Sequence, residues 1–542
     1  MHKTAYQADV IIVGAGLAGL VAAHELLGRS KKIVIFEKGK RRDLGGLARE
    51  SFGGVHLIGT PQQKRMRIKD DPNLAYRDWE SVACFPKGEN QDFWPKKWAK
   101  FYCENSIEYI YDFLDEKGVR FLPVVNWAER GLHQPGNSVP RWHVAWGIGH
   151  EIVRRVWNAL ETHKNWTNLE ILFEHEVSAL DLEGGRVVGV SGTAIAEGTP
   201  FHARSESVVI AAGGICGGDL SKVKANWNPQ WGKAPRHLLN GAHVFGDGLL
   251  HDQVAKLGGN VTHLDQQWHY AAGIHHPLKR KPNDGLSLVP PRSALWLNAR
   301  GERIGPIPLV SYANTRFLVE SILKEPGQYS WQLMNWKIAI KELAVSGCDY
   351  MTAFRYKKKW KLLWHLLFGN KELVRRLIQE CAEDLVVADS LPELAAKMDG
   401  KSLEGQTIDL QAMTRAVQEY DQQIERGPAF YNDEQLRWIG NFRRYRGDRI
   451  RTCDFQKILD PRAKPLIAIR EFILTRKSLG GIQTDLQCRV LRAGNGEFIP
   501  GLYAVGEAAG FGGGGIHGQG SLEGTFLGSC VLTGRIVGRS IP

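Results

Sequence analysis

The sequence has no C-x-x-C pair. Its eight cysteines, Cys84, Cys103, Cys216, Cys348, Cys381, Cys453, Cys488 and Cys530, are scattered over 542 residues. That spacing gives no framework for metal knuckles, iron–sulfur ligation or disulfides. Reduced thiols and no metal site are the expectation. No unbroken apolar stretch reaches 18 residues, so no membrane span is expected. The apolar run Val10 to Ala23 is interrupted by glycines, and no A-x-A-like cleavage site follows it. It therefore does not read as a signal peptide, and the cytoplasm is the expected compartment. Proline is modest at 23, whereas glycine is abundant at 60. Glycine excess without proline excess points to turns and close backbone–ligand contacts, not to a collagen-like or disordered chain. Size alone predicts two or three domains.

The formal charge is +12, with a sequence pI of about 9.2. Anionic partners are compatible with that balance. Dense basic runs are scarce, so nucleic acid is not an expected partner. One concentration stands out, FRYKKKWKLLWHLLFGNKELVRRL, residues 354–377. The first expectation there is an amphipathic helix with Trp360, Leu363, Trp364 and Leu367 packed on the core. The alternative is a helix lying on an anionic bilayer, a peripheral membrane contact.

The strongest motif opens the chain. ADVIIVGAGLAGLVAAHELL combines a β-branched run, Val10 to Val13, with Gly14, Gly16 and Gly19 in G-x-G-x-x-G spacing and a helical stretch, Leu20 to Leu27. A second strand, KIVIFEKG, ends at Glu37. In a dinucleotide fold the first glycine makes the turn, the second admits the pyrophosphate and the third lets helix and strand pack. The helix N-terminus supplies amide donors to the phosphates. An acid at Glu37 accepts from a ribose 2′-OH, which argues against a 2′-phosphate. No second such motif sits in a βαβ unit, so a separate nicotinamide domain is not expected.

Three further glycine points follow. Gly45-Gly46, with Gly53 and Gly54 beyond, lets the chain wrap a long, flat ligand. Val208 to Ile210 forms a strand that stops at Ala211-Ala212-Gly213-Gly214. Upstream, VSALDLEGGRVVGVSG reads as a hairpin turning at Gly184-Gly185. Near the C-terminus GLYAVGEAAGFGGGGIHGQGSLEG, residues 501–524, is dense in glycine. A helix is expected from Ser521, with Ser521 as its N-cap.

These points together resemble the FAD-binding domain of the fumarate reductase/succinate dehydrogenase flavoprotein superfamily. The whole chain is similar to FAD-binding dehydrogenases related to the 3-ketosteroid dehydrogenases, through GNSVPRWHVAWG (136–147), WHYAAGIH (268–275) and TRKSLGGIQTD (475–485). The resemblance implies an α/β fold: a Rossmann-like, GR2-type FAD-binding domain from residues 1–265 and 470–542, with an α+β capping or substrate domain, 266–469, inserted. It implies noncovalent FAD, a small-molecule substrate and an electron acceptor that the sequence does not name. Carried over by position, the cofactor residues are Gly14, Gly16, Gly19, Glu37, Gly45, Gly46, Gly53, Gly54, Ala212, Gly213, Gly506, Glu507, Ser521 and Leu522. His56 does not match a flavin-attachment motif.

True fumarate reductases keep a histidine just before the glycine pair that is here Gly480-Gly481, and an arginine where Ser521 stands. A dicarboxylate needs fixed cations, so these departures point to a different substrate. The implied reaction is dehydrogenation of a carbon–carbon bond beside a carbonyl, in a hydrophobic, steroid-like molecule. Candidate catalytic residues are Tyr270, His269, Arg476, Lys477 and His517, with His143 as a further donor. Arg476 or Lys477 is expected to lower the Tyr270 pKa. Some of Phe85, Phe93, Trp94, Trp98, Trp127, Trp142 and Trp146 are candidates for an apolar pocket. Two alternatives remain. One is an enoate or dicarboxylate reductase with Arg292, Arg476 and Lys477 as clamps. The other is an FAD-stabilised membrane- or nucleic-acid-binding protein without turnover.

Overall fold

A computed structural model describes residues 4–85, 92–131, 134–347 and 349–542. Cys348 lies outside the described residues. The first sheet grows from the opening motif. Val10–Val13, all four residues buried, pairs in parallel with Ile33–Glu37 on one side and Ser207–Ile210 on the other. Leu169–Phe173 and Phe498–Ala504 extend it in parallel, and Arg489–Leu491 closes one edge in antiparallel fashion. Strands buried on both faces read as unbroken β-branched runs, which is why VIIV and IVIF were legible. The hairpin His175–Glu183 and Arg186–Ala194 turns at Gly184-Gly185, as the sequence predicts. With Thr199–Arg204 and Thr4–Gln7 it forms a separate four-stranded sheet.

The helix after the glycine turn, Leu17–Gly28, begins three residues earlier than its apolar pattern, immediately after Gly16. It packs against the last helix, Thr525–Ser540. Contact is close because Gly534 and Gly538 face it: a Cβ at Gly534 would stand 2.6 Å from the Ala18 carbonyl oxygen. Thirteen of the sixteen residues of the last helix are buried. Six of them are large and apolar, each stabilising by about 1.5–3 kcal/mol. Their sum is comparable to the roughly 5–15 kcal/mol that separates a folded domain from its unfolded chain. The helix Thr525–Ser540 is therefore structural core.

The second large sheet is built around Leu466–Ser478, a thirteen-residue strand that runs without a break through residue 470. It pairs with Gln267–His275, Tyr329–Asn335, Leu385–Ala388 and Leu239–Asn240. The strand packs against the helices Leu391–Asp399 and Trp336–Glu342, and its far end runs into Gly480-Gly481. Among the described residues, no helix is long and apolar enough to cross a membrane.

One expectation fails here. Residues 354–377 do not form one helix packed on the core. Lys359–Phe368 and Lys371–Glu380 are separate helices, divided at Gly369 (φ +81°). No residue of Lys359–Phe368 is buried, and Trp360 is 84% exposed. Its amphipathic period was legible, but its apolar stripe faces outward.

Candidate active site

Two adjoining cavities meet where the sheets approach each other. The first is an open cleft of about 1160 Å³. Gly14, Gly16, Glu37, Gly45, Gly46, Ala212, Gly213, Gly506 and Glu507 line it, together with His243, Phe245 and Asp247. Gly19 lies behind it as a packing residue, because a Cβ there would stand 2.2 Å from the Gly14 carbonyl oxygen. Gly14 is left-handed at φ +105°. Gly16, by contrast, has extended φ/ψ (−69°, 172°), and a Cβ there would meet no protein atom closer than 3.9 Å. Its side faces open space at the N-terminus of Leu17–Gly28. The Glu37 carboxylate is fixed by the Ala15 and Gly39 amides, each donating at 2.7 Å.

This donor set fits a dinucleotide. Bare backbone and a helix N-terminus suit a pyrophosphate, and an oriented carboxylate suits a ribose hydroxyl. Glu507 ends the first cavity and borders the second. It accepts from the Ser478 amide at 2.9 Å, and burial raises its pKa to about 7.

The second cavity, about 640 Å³, shares Leu47, Ala48, Glu507 and Cys530 with the first. Gly53 and Gly54 line it, with Phe52, Trp142, Phe511 and Phe526 as apolar walls. The Phe52 and Trp142 rings stack at 5.7 Å. The polar lining converges from three distant segments. Lys477 Nζ donates to the Tyr270 hydroxyl at 3.0 Å, and that hydroxyl donates to Glu523 Oε1 at 2.7 Å. The Trp268 indole donates to the same carboxylate oxygen at 3.1 Å. Arg476 lines the cavity too and donates to the Gly241 carbonyl.

Burial governs the electrostatics. Lys477 is pulled down to about 8, burial outweighing the attraction of Glu523. Tyr270 is pushed well above its ordinary value, first by burial and then by Glu523. The expected lowering of the Tyr270 pKa is therefore overturned: the pull of Arg476 is present but smaller. Tyr270 rests as a neutral hydroxyl.

Strand alternation separates Tyr270 from its neighbour. Trp268 and Tyr270 reach Glu523, whereas His269 stacks on Trp227 at 5.0 Å and lines neither cavity. His517 is also outside both. It stacks on Trp79 at 5.6 Å and bonds the Thr525 hydroxyl at 2.8 Å, and burial holds its pKa at about 3. His143 is buried with Thr60 as partner. Ser521 and Leu522 line neither cavity. The last helix starts at Thr525 rather than Ser521, with Gly524 (φ +96°) as N-cap. A Cβ at Gly524 would meet the His56 amide at 2.6 Å. The Ser521 hydroxyl is already engaged with Thr525 at 3.0 Å. Arg292 lies apart from Arg476 and Lys477, lining another cavity and paired with Asp448 at 2.6 Å. His56 lines neither of the two adjoining cavities.

Sequence reasoning missed Glu523. A signal was present: it is the sole acid between Ala508 and Pro542. It missed Trp268 as a site residue as well.

A family model described as FAD binding domain matches residues 9–527. A KsdD-like steroid dehydrogenase of Mycobacterium tuberculosis is 38% identical over 98% of this chain and 95% of its own length. The fold is similar to that of an open-conformation flavocytochrome c3 fumarate reductase, at 18% identity and TM-score 0.69, covering 99% of this chain and 78% of that one. It is also similar to that of a 3-ketosteroid-delta4-(5alpha)-dehydrogenase from Rhodococcus jostii RHA1, at 20% identity and TM-score 0.64, covering 99% and 97%. The chain belongs to the FAD binding domain family and is an FAD-dependent oxidoreductase of the ketosteroid dehydrogenase-like type.

Proposed function

We propose that this enzyme dehydrogenates a carbon–carbon bond beside the carbonyl of a flat, hydrophobic, steroid-like ketone, using noncovalently held FAD. Residues 1–265 and 470–542 would form the cofactor domain, and 266–469 would close over the substrate. The observation that carries the reading is the Lys477–Tyr270–Glu523 chain, set in an aromatic cavity that adjoins the dinucleotide cleft. The steroid assignment draws on the likeness to the 38%-identical KsdD-like steroid dehydrogenase.

FAD, when bound, supplies the two-electron acceptor. The chain's own residues handle the proton. The Tyr270 oxygen takes a proton from the carbon next to the carbonyl as its own proton passes to Glu523. The Lys477 ammonium stabilises the negative charge that develops on the phenol oxygen. Arg476 donates to the substrate carbonyl and acidifies the neighbouring C–H. Phe52, Trp142 and Phe526 hold the apolar rings and exclude water.

The test is anaerobic mixing of the yellow holoprotein with 3-ketosteroids. Loss of the oxidised flavin's visible absorbance is the expected result. An unchanged spectrum with saturated and unsaturated ketosteroids alike would overturn the proposal.

A further inference from the structure

The helix Lys359–Phe368 presents an unusual surface. Trp360, Leu363, Trp364, Leu367 and Phe368 fall at helical spacing on one face, and they are 84%, 46%, 63%, 66% and 53% exposed. An amphipathic helix on a folded domain ordinarily turns this stripe inward. Here the same helix rests on the protein through its other side, next to Trp336–Glu342. Five large apolar side chains, two of them tryptophans, thus form a contiguous exposed ridge, far from the scattered single apolar residues of an ordinary surface.

The charges around the ridge select its partner. Residues 354–377 contain eight Lys and Arg against one Glu. Lys358 and Lys359 directly precede the ridge and are exposed. Four of the eight are paired: Arg355 with Asp349, Lys357 with Glu151, Lys361 with Glu372 and Arg376 with Glu380. Lys358, Lys359, Lys371 and Arg375 leave a positive surplus beside the ridge. A second copy seated face to face would bring two such surpluses together, which opposes isologous pairing. An anionic bilayer meets both features: Trp settles at the headgroup boundary, apolar side chains enter the acyl region, and lysines meet lipid phosphates.

We propose that Lys359–Phe368 docks this enzyme on an anionic lipid bilayer, with Trp360, Trp364, Leu367 and Phe368 inserted and Lys358 and Lys359 at the headgroups. The position also bears on the site. Phe354, five residues before Lys359, stands 6.0 Å from Phe52, a wall of the second cavity. Docking brings that edge of the cavity toward the lipid, where an apolar ketone dissolves. This last step rests on the proposed substrate class; the docking itself does not.

The experiment is co-sedimentation of the holoprotein with vesicles of phosphatidylcholine alone and with added phosphatidylglycerol, at low and high salt, beside sedimentation velocity without lipid. Binding to the anionic vesicles, weakened by salt, is expected. Trp360→Ser with Trp364→Ser should lower that affinity by about tenfold or more, and Lys358→Gln with Lys359→Gln by about thirtyfold. These side chains are on the surface, so both variants should keep their flavin, which its absorbance checks. Equal sedimentation of wild type and the tryptophan variant would overturn the proposal. So would a wild-type dimer that the tryptophan variant dissolves, since a second copy would then cover the ridge. Because the readout is binding and not turnover, a failure here is separate from a failure of the ketosteroid assay.

Discussion

Gly16→Ala separates cofactor binding from folding, and Gly14→Ala is its control. At Gly16 the backbone is extended and admits any residue, and the nearest protein atom to a new methyl is the Ala211 carbonyl oxygen at 3.9 Å. The apo protein should change by less than about 1 kcal/mol, a stiffer unfolded chain offsetting the poorer N-cap that alanine makes before Leu17–Gly28. The methyl nonetheless projects into the cleft whose bare backbone would receive the pyrophosphate. Excluding that contact should weaken FAD by about 100-fold, or about 2.7 kcal/mol. Gly14 is the reverse case. Its φ of +105° costs an L-residue roughly 1–2 kcal/mol. A Cβ 2.5 Å from the Ala211 oxygen adds about 1–3 kcal/mol of overlap. Together these remove a large part of a domain's roughly 5–15 kcal/mol. Flavin-to-protein absorbance ratios after purification, and urea unfolding of the flavin-free proteins, read the two effects separately. If Gly16→Ala purifies with stoichiometric flavin, the pyrophosphate does not cross at Gly16. If it is as unstable as Gly14→Ala, the open side of Gly16 is misread.

Other outcomes follow from the same geometry. Tyr270→Phe should slow anaerobic flavin reduction by about 10²–10⁴-fold while flavin content holds; a rate within threefold of wild type would remove the tyrosine from the proton path. The Lys477 ammonium is held at about 8, so its charge is present below that pH and lost above it. Flavin reduction should accordingly fall as pH rises through about 8, and Lys477→Met should abolish the step; a flat profile from pH 7 to 9 argues against the role. Ser521→Ala should leave flavin content unchanged, because among the described residues the Ser521 hydroxyl bonds within its own turn, to Thr525 and the Leu522 carbonyl. A colourless Ser521→Ala protein would restore the sequence-based placement of that residue at the cofactor.

The residues that were legible share one property: their meaning is local. Gly14, Gly16 and Gly19 declare themselves because strand, turn and helix follow within twenty residues, and Glu37 ends the next strand in register. Gly184-Gly185 marks its hairpin for the same reason. The candidate catalytic chain is different in kind. Trp268 and Tyr270, then Lys477, then Glu523 come from three segments, and Tyr270 and Glu523 are separated by 253 residues. Nothing local in TRKSLGG or GSLEG states that they meet. Alternation decides that His269 faces Trp227 while Tyr270 faces Glu523, but which face points to the cavity depends on Leu466–Ser478 carrying both neighbours. Ser521 was misjudged for a related reason. A serine before a helix is ordinarily its cap, yet the incoming strand Gly54–His56 leaves no room for a side chain at position 524. The cap therefore falls on Gly524, and the helix begins later. Burial then reverses the chemistry that composition implies. Two cations beside a tyrosine predict an easily ionised phenol, whereas enclosure beside Glu523 keeps it protonated. A tyrosine in that state suits the proposed proton path, because its hydroxyl already points at the lone acid of the C-terminal segment.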